Sequence, residues 1–145
     1  MSAEKTFWSL FRSHIPKDCD VQRIETGSTG RGIPDINLCY QGYEFWIELK
    51  VVKGRSVDLA PEQVAWHYRR TRAGGTTWII ARDKYDKVKK GKGDFIYLWH
   101  GDCVVKVKEK GIECPGHRFS APFDWAAIWA VLLPDQENYK LSDAP

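Results

Sequence analysis

A mixed α/β fold, with a β-sheet flanked by helices, is the architecture this sequence predicts, and three adjoining stretches carry that expectation. Residues 34–50, PDINLCYQGYEFWIELK, alternate apolar and polar positions on both sides of Gln41-Gly42, as the two strands of a hairpin do. Residues 61–73 begin with proline and are closed by Gly74-Gly75, the punctuation of a helix. Thr76 to Arg82, TTWIIAR, is then a compact apolar strand, suited to a central position reached by a helical crossover.

Taken in order, Glu4 to Ser13 reads as a short amphipathic helix, with Phe7, Leu10, Phe11 and His14 at helical spacing and Pro16 beyond it. Glu4 leads that apolar stripe, three residues before Phe7. Asp20 to Thr26 reads as a first strand. Residues 27–32, GSTGRG, form a glycine-rich turn whose main-chain N–H groups can approach a phosphate. Arg31 within it is a candidate contact to a nucleic-acid backbone.

In the hairpin, Tyr40 is expected opposite Tyr43, Leu38 opposite Phe45, Ile36 opposite Ile47 and Asp35 opposite Glu48. Because side chains alternate between faces, Asp35, Asn37, Cys39, Glu44, Trp46, Glu48 and Lys50 share one side. Two carboxylates placed opposite one another, about 5 Å apart at Cβ, repel unless one is protonated or a cation lies between them. A hard divalent cation with oxygen ligands relieves that conflict. Lys50 lies on the same face, one strand step beyond Glu48. Two acids and a lysine around a metal are the parts of a hydrolytic site for phosphate esters; the bland alternative is an ion cluster on a solvated sheet face.

Beyond the hairpin, Lys53-Gly54-Arg55 makes a basic turn, and Leu59 and Val64 stand where a hydrophobic staple packs around Pro61. Gln63 falls in the first turn of that helix, and Arg69, Arg70 and Arg72 favour its C-terminal end. Asp83 to Gly93 is lysine-rich and reads as a solvated, mobile loop or a nucleic-acid-gripping arm, with Lys87, Lys89 and Lys90 as its candidates. Asp94 to His100 and Cys103 to Lys108 read as a second hairpin around Gly101-Asp102. His100, Cys103, Cys114 and His117 come in two close pairs, a spacing compatible with structural zinc. Asp124 is placed to cap a helix, Trp125 to Leu133, apolar nearly all round and so destined for the core or a subunit interface. The segment 134–145 reads as a loosely held tail.

Pro34-Asp35, twelve intervening residues and then Glu48-Leu49-Lys50 resemble the motif of the PD-(D/E)XK nuclease superfamily. The glycine-rich approach and Gln63 are similar to its Holliday junction resolvase and VRR-NUC branches. The resemblance spans about residues 4–82, with the added hairpin and helix at 94–133, and implies a restriction-endonuclease-like sheet in one nuclease domain. It further implies that Asp35, Glu48 and the Leu49 carbonyl bind Mg²⁺ or Mn²⁺. A first-helix glutamate completes such a site, and Glu4 is the matching position, with Glu25 its rival. Lys50 would orient the attacking water or offset charge on the phosphate, and Gln63 would orient Lys50 or a water. The activity so implied is cleavage of DNA, with branched junctions favoured and a homodimer as the working form. Flap or single-strand cleavage of the VRR-NUC kind, and a non-catalytic nucleic-acid-binding module, are the alternatives.

Composition agrees with a folded protein of this kind. In 145 residues, 43% are hydrophobic and seven are tryptophan, which sets the chain apart from disordered sequences. No apolar run approaches a membrane span, and no secretory leader is evident, so no membrane role is expected. The four cysteines are scattered without a CxxC, the usage of a reducing, cytoplasmic setting. The net charge is only +3, but residues 50–92 hold twelve Lys or Arg against four Asp or Glu. The implied partner is a polyanion such as DNA, gripped by Lys53, Arg55, Arg69, Arg70 and the lysines of 83–93.

Overall fold

Six strands form one mixed sheet in sequence order, β1 (Asp20–Arg23), β2 (Ile36–Tyr40), β3 (Tyr43–Val51), β4 (Thr77–Asp86), β5 (Gly91–His100) and β6 (His117–Ser120). Four helices flank it, α1 (Ala3–Arg12), α2 (Pro61–Arg72), α3 (Val104–Lys110) and α4 (Trp125–Leu132). This computed structural model describes residues 2–25 and 32–133. β3 and β4 run parallel and the other neighbours antiparallel, so α2 is the crossover between the two central strands. The mixed α/β architecture expected from the sequence is therefore the observed one.

The hairpin register is also the expected one: Tyr40 pairs with Tyr43, Leu38 with Phe45 and Ile36 with Ile47. Gln41 and Gly42 both take positive φ, 50° and 82°, which matches the right-handed twist of the strands they join. One sheet face buries Ile36, Leu38, Phe45, Ile47 and Leu49 against Phe7 and Phe11 of α1 and Ile128, Trp129 and Leu132 of α4. Phe11 meets Trp129 at a ring separation of 5.4 Å, so the apolar α4 packs one side into the core. On the opposite face, Val57, Leu59, Ile79, Ala81, Trp99, Val104 and Val107 form a second core beneath α2 and α3.

Two expectations need correction, and one possibility left open by the sequence is not met. The lysine-rich segment 83–93 is not a mobile loop: β4 continues to Asp86, and a tight turn returns the chain into β5 at Gly91. Asp86 Oδ1 accepts the N–H groups of Val88 and Lys89 at 2.9 and 3.0 Å, and these bonds hold its carboxyl below the usual range. The alternating stretch after Gly101 is a helix, not a strand. Val104 and Val107, three residues apart, both bury in the second core, a demand of helical rather than strand periodicity. Finally, His100, Cys103, Cys114 and His117 do not converge as a zinc site. Among the described residues no group of three or more His, Cys, Asp or Glu is placed to hold a metal ion. Cys114 is buried and its carbonyl accepts from the Trp99 indole at 2.9 Å, while His117 is exposed on β6. No described helix is long and apolar enough to cross a membrane.

Candidate active site

Asp35 immediately precedes β2, and Glu48 and Lys50 alternate along β3, so the hairpin brings all three to one place. Asp35 Oδ2 accepts the Leu49 N–H at 2.8 Å, which fixes the aspartate against the neighbouring strand. Glu48 is 1% exposed, far from the solvated cluster that was the bland alternative. Burial pushes its carboxyl well above the usual range. The charge of Asp35 and a side-chain hydrogen bond with it push the same way, Glu4 adds to the effect, and Lys50 opposes it. Among the described residues, Glu48 Oε1 has no hydrogen-bond partner.

Lys50 is held from the helix side. Its Nζ donates to Gln63 Oε1 at 3.0 Å, and the same oxygen accepts the Ala60 N–H at 2.9 Å. Ala60 lacks the side-chain oxygen of a good cap, but Gln63 three residues on supplies the other half of a capping box by accepting the Ala60 N–H. Gly32 adopts φ +80°, and a Cβ there would run into the Glu62 carbonyl. The approach to Pro34-Asp35 thus packs directly on the turn of α2 that carries Gln63.

His67 is a site residue that the sequence reading passes over. One turn after Gln63 on α2, it is wholly buried, with Nε2 3.6 Å from Glu48 Oε1 and Nδ1 2.7 Å from Thr77 Oγ1. Desolvation, helped by the Lys50 charge, lowers its pKa to about 4, so the ring is neutral at ordinary pH. Gln63 and His67 on α2 therefore face Lys50 and Glu48 on β3, in reversed order. The only clue available beforehand is the four-residue spacing from Gln63.

The other expected residues divide. Glu4, exposed at the start of α1, is close enough to act on Glu48 electrostatically, while Glu25 is exposed after the edge strand β1. Arg55, Lys87 and Lys90, with Lys84 and Tyr85, line an open groove of about 660 Å³ that begins at Val51 and Val52, just past Lys50, and reaches Ala3 beside Glu4. Lys53 is exposed in the adjoining turn. Arg55 also pairs with Glu113 at 3.1 Å, and Lys87 is pinned to buried Asp83 at 2.7 Å. Lys89 is exposed on the β4–β5 turn. Arg69 and Arg70 are not part of this groove. They border a separate recess at the far end of α2, where Arg70 stacks 4.5 Å over the Trp66 ring. Arg31 and most of the glycine-rich turn lie outside the described residues.

The residues present suit a hard divalent cation. Two carboxylates meet, one of them buried, and their mutual repulsion calls for a positive charge. Mg²⁺ characteristically takes one or two carboxylates and completes its shell with water and substrate phosphate, so a third protein carboxylate is not required. The fold and site together define a mixed α/β protein with an acid pair and a tethered lysine at the carboxyl-terminal half of a central strand.

No family model matches this chain, and no curated protein matches it by sequence. Among solved structures, it is similar to that of Hjc, a Holliday junction resolvase from the archaeal hyperthermophile Archaeoglobus fulgidus. The TM-score is 0.47 at 12% identity, over 82% of this chain and 86% of that one.

Proposed function

We propose that this chain is a nuclease domain that hydrolyses DNA phosphodiester bonds with Mg²⁺ or Mn²⁺. The observation that carries the reading is the meeting of half-buried Asp35 with buried Glu48, beside a lysine tethered by Gln63. Asp35 and Glu48 would hold the cation, with the Leu49 carbonyl as a further donor, while Glu4 acts on the site through its charge. When bound, such an ion polarises the phosphate and lowers the pKa of a water. Lys50 keeps its ammonium beside that locus, where it orients the nucleophilic water or offsets charge that develops on the phosphate oxygens. Gln63 fixes the lysine rotamer, so little reorganisation remains for the reacting state.

The basic groove beyond Lys50 supplies the contacts to neighbouring phosphates, and Tyr85 in its wall offers an aromatic face. Branched DNA is the favoured substrate within this reading, cut by a two-fold dimer in which each copy nicks one strand. The deciding experiment incubates a labelled four-way junction, a flap, linear duplex and single strands with Mg²⁺ or Mn²⁺, beside EDTA and Asp35→Asn controls. Paired symmetric nicks on the junction, lost in both controls, are expected. Equal cutting of all substrates removes the junction preference. Binding without cutting of any substrate leaves a nucleic-acid-binding module.

A further inference from the structure

We propose that His67 is a positioning residue for Glu48, donating Nε2–H to Oε1 of the carboxylate that would hold the cation, with Thr77 setting its tautomer; this rests on the metal-site reading above. Two buried polar atoms, Glu48 Oε1 and His67 Nε2, lack partners among the described residues and face each other at 3.6 Å. Such mutual orphaning is costly unless the two meet in the working state. The gap exceeds a formed hydrogen bond by about half an ångström, a distance that an anionic Glu48 can close.

The other ring nitrogen decides which way the proton points. Nδ1 lies 2.7 Å from Thr77 Oγ1. If the Thr77 hydroxyl donates there, Nε2 keeps the hydrogen and aims it at Glu48, the arrangement a metal-bound carboxylate needs. The reverse tautomer would point a lone pair at a carboxylate. Gly101 protects the contact, since a Cβ there would run into Thr77 Oγ1. His67 is fully buried, so it cannot reach substrate; it acts through Glu48 alone. Partners of metal-binding groups commonly hold those groups in orientation in this way.

The test is Mn²⁺ affinity measured by calorimetry on the DNA-free protein, for wild type, His67→Phe, His67→Gln, Thr77→Val and Thr77→Ser. Loss of the donor is expected to weaken Mn²⁺ binding by about 10- to 100-fold in His67→Phe. His67→Gln, whose amide N–H can stand near Nε2, should recover most of it. Thr77→Val should weaken binding and Thr77→Ser should not. A folded His67→Phe with wild-type affinity overturns the proposal. If that variant does not fold, Thr77→Val, nearly the same shape, decides: unchanged Mn²⁺ affinity overturns it equally. A wild-type protein that binds no Mn²⁺ removes the metal-site reading itself, a distinct failure.

Discussion

Lys50 Nζ and the Ala60 N–H share a single acceptor, Gln63 Oε1, at 3.0 and 2.9 Å. One side chain thus ends a helix and aims a lysine. Gln63→Ala is expected to lower kcat for cleavage about tenfold or more while leaving Mn²⁺ affinity unchanged, because it frees the lysine without touching the acids. The same change should cost about 1 kcal/mol of stability through the unsatisfied Ala60 N–H. Equal kcat in wild type and variant, across a full substrate titration, would show that Lys50 needs no tether.

Asp35→Asn separates catalysis from folding. Metal-dependent cleavage should fall by roughly a thousandfold, the equivalent of about 4 kcal/mol of lost charge stabilisation. DNA binding should persist. In the absence of metal the variant should melt no lower than wild type, since burial still raises the Glu48 pKa but the added repulsion from Asp35 is removed. A melt clearly below wild type would show that the Asp35 charge stabilises the empty fold.

The groove lysines predict a salt dependence. Replacing Lys84 and Lys90 by alanine should flatten the slope of log binding constant against log salt. The change should reach up to about 0.9 for each duplex-DNA phosphate that these lysines neutralise. Lys87→Ala should in addition cost about 1–3 kcal/mol, because it strands the buried carboxylate of Asp83. An unchanged slope in the double variant would make this wall of the groove a bystander.

Thiol chemistry gives a pH test. Burial pushes both Cys19 and Cys103 up to about 11, with the Asp102 carboxylate adding to the effect at Cys103. In the folded state each thiol keeps its proton past the ordinary 9.0, so the associated stability is lost as pH rises from about 9 through 11. Alkylation at pH 8–9 should be slow for Cys19 and Cys103 in the native protein and accelerate on denaturation. Rapid native labelling of both, followed by mass spectrometry, would contradict the burial.

The first hairpin and its acid pair are legible in the sequence because two signals agree: alternation sets the faces, and Gln41-Gly42 sets the register. The α2 crossover follows from Pro61 and Gly74-Gly75 in the same way. The β4–β5 hairpin is hidden because its turn is built from lysines, with Asp86 supplying the hydrogen bonds that glycine or asparagine usually announces. The stretch from Val104 to Lys108 alternates like a strand, yet tertiary packing of Val104 and Val107 overrides the pattern. His67 carries a single signal, its four-residue spacing from Gln63, and a lone helical histidine does not say which strand its ring will meet.

Gln63 and His67 reach Lys50 and Glu48 because two rulers coincide. Four residues of helix advance about 6.0 Å, and two residues of strand about 6.6 Å, so a helix laid antiparallel over a strand keeps step with it for one interval. Inserting or deleting a single residue between 63 and 67 would turn one partner about 100° around the helix axis and leave either the lysine or the buried glutamate unattended. A glutamate and lysine two apart, followed by a glutamine and histidine four apart on the crossover helix, is therefore a combined pattern by which other chains with the same supported site could be found.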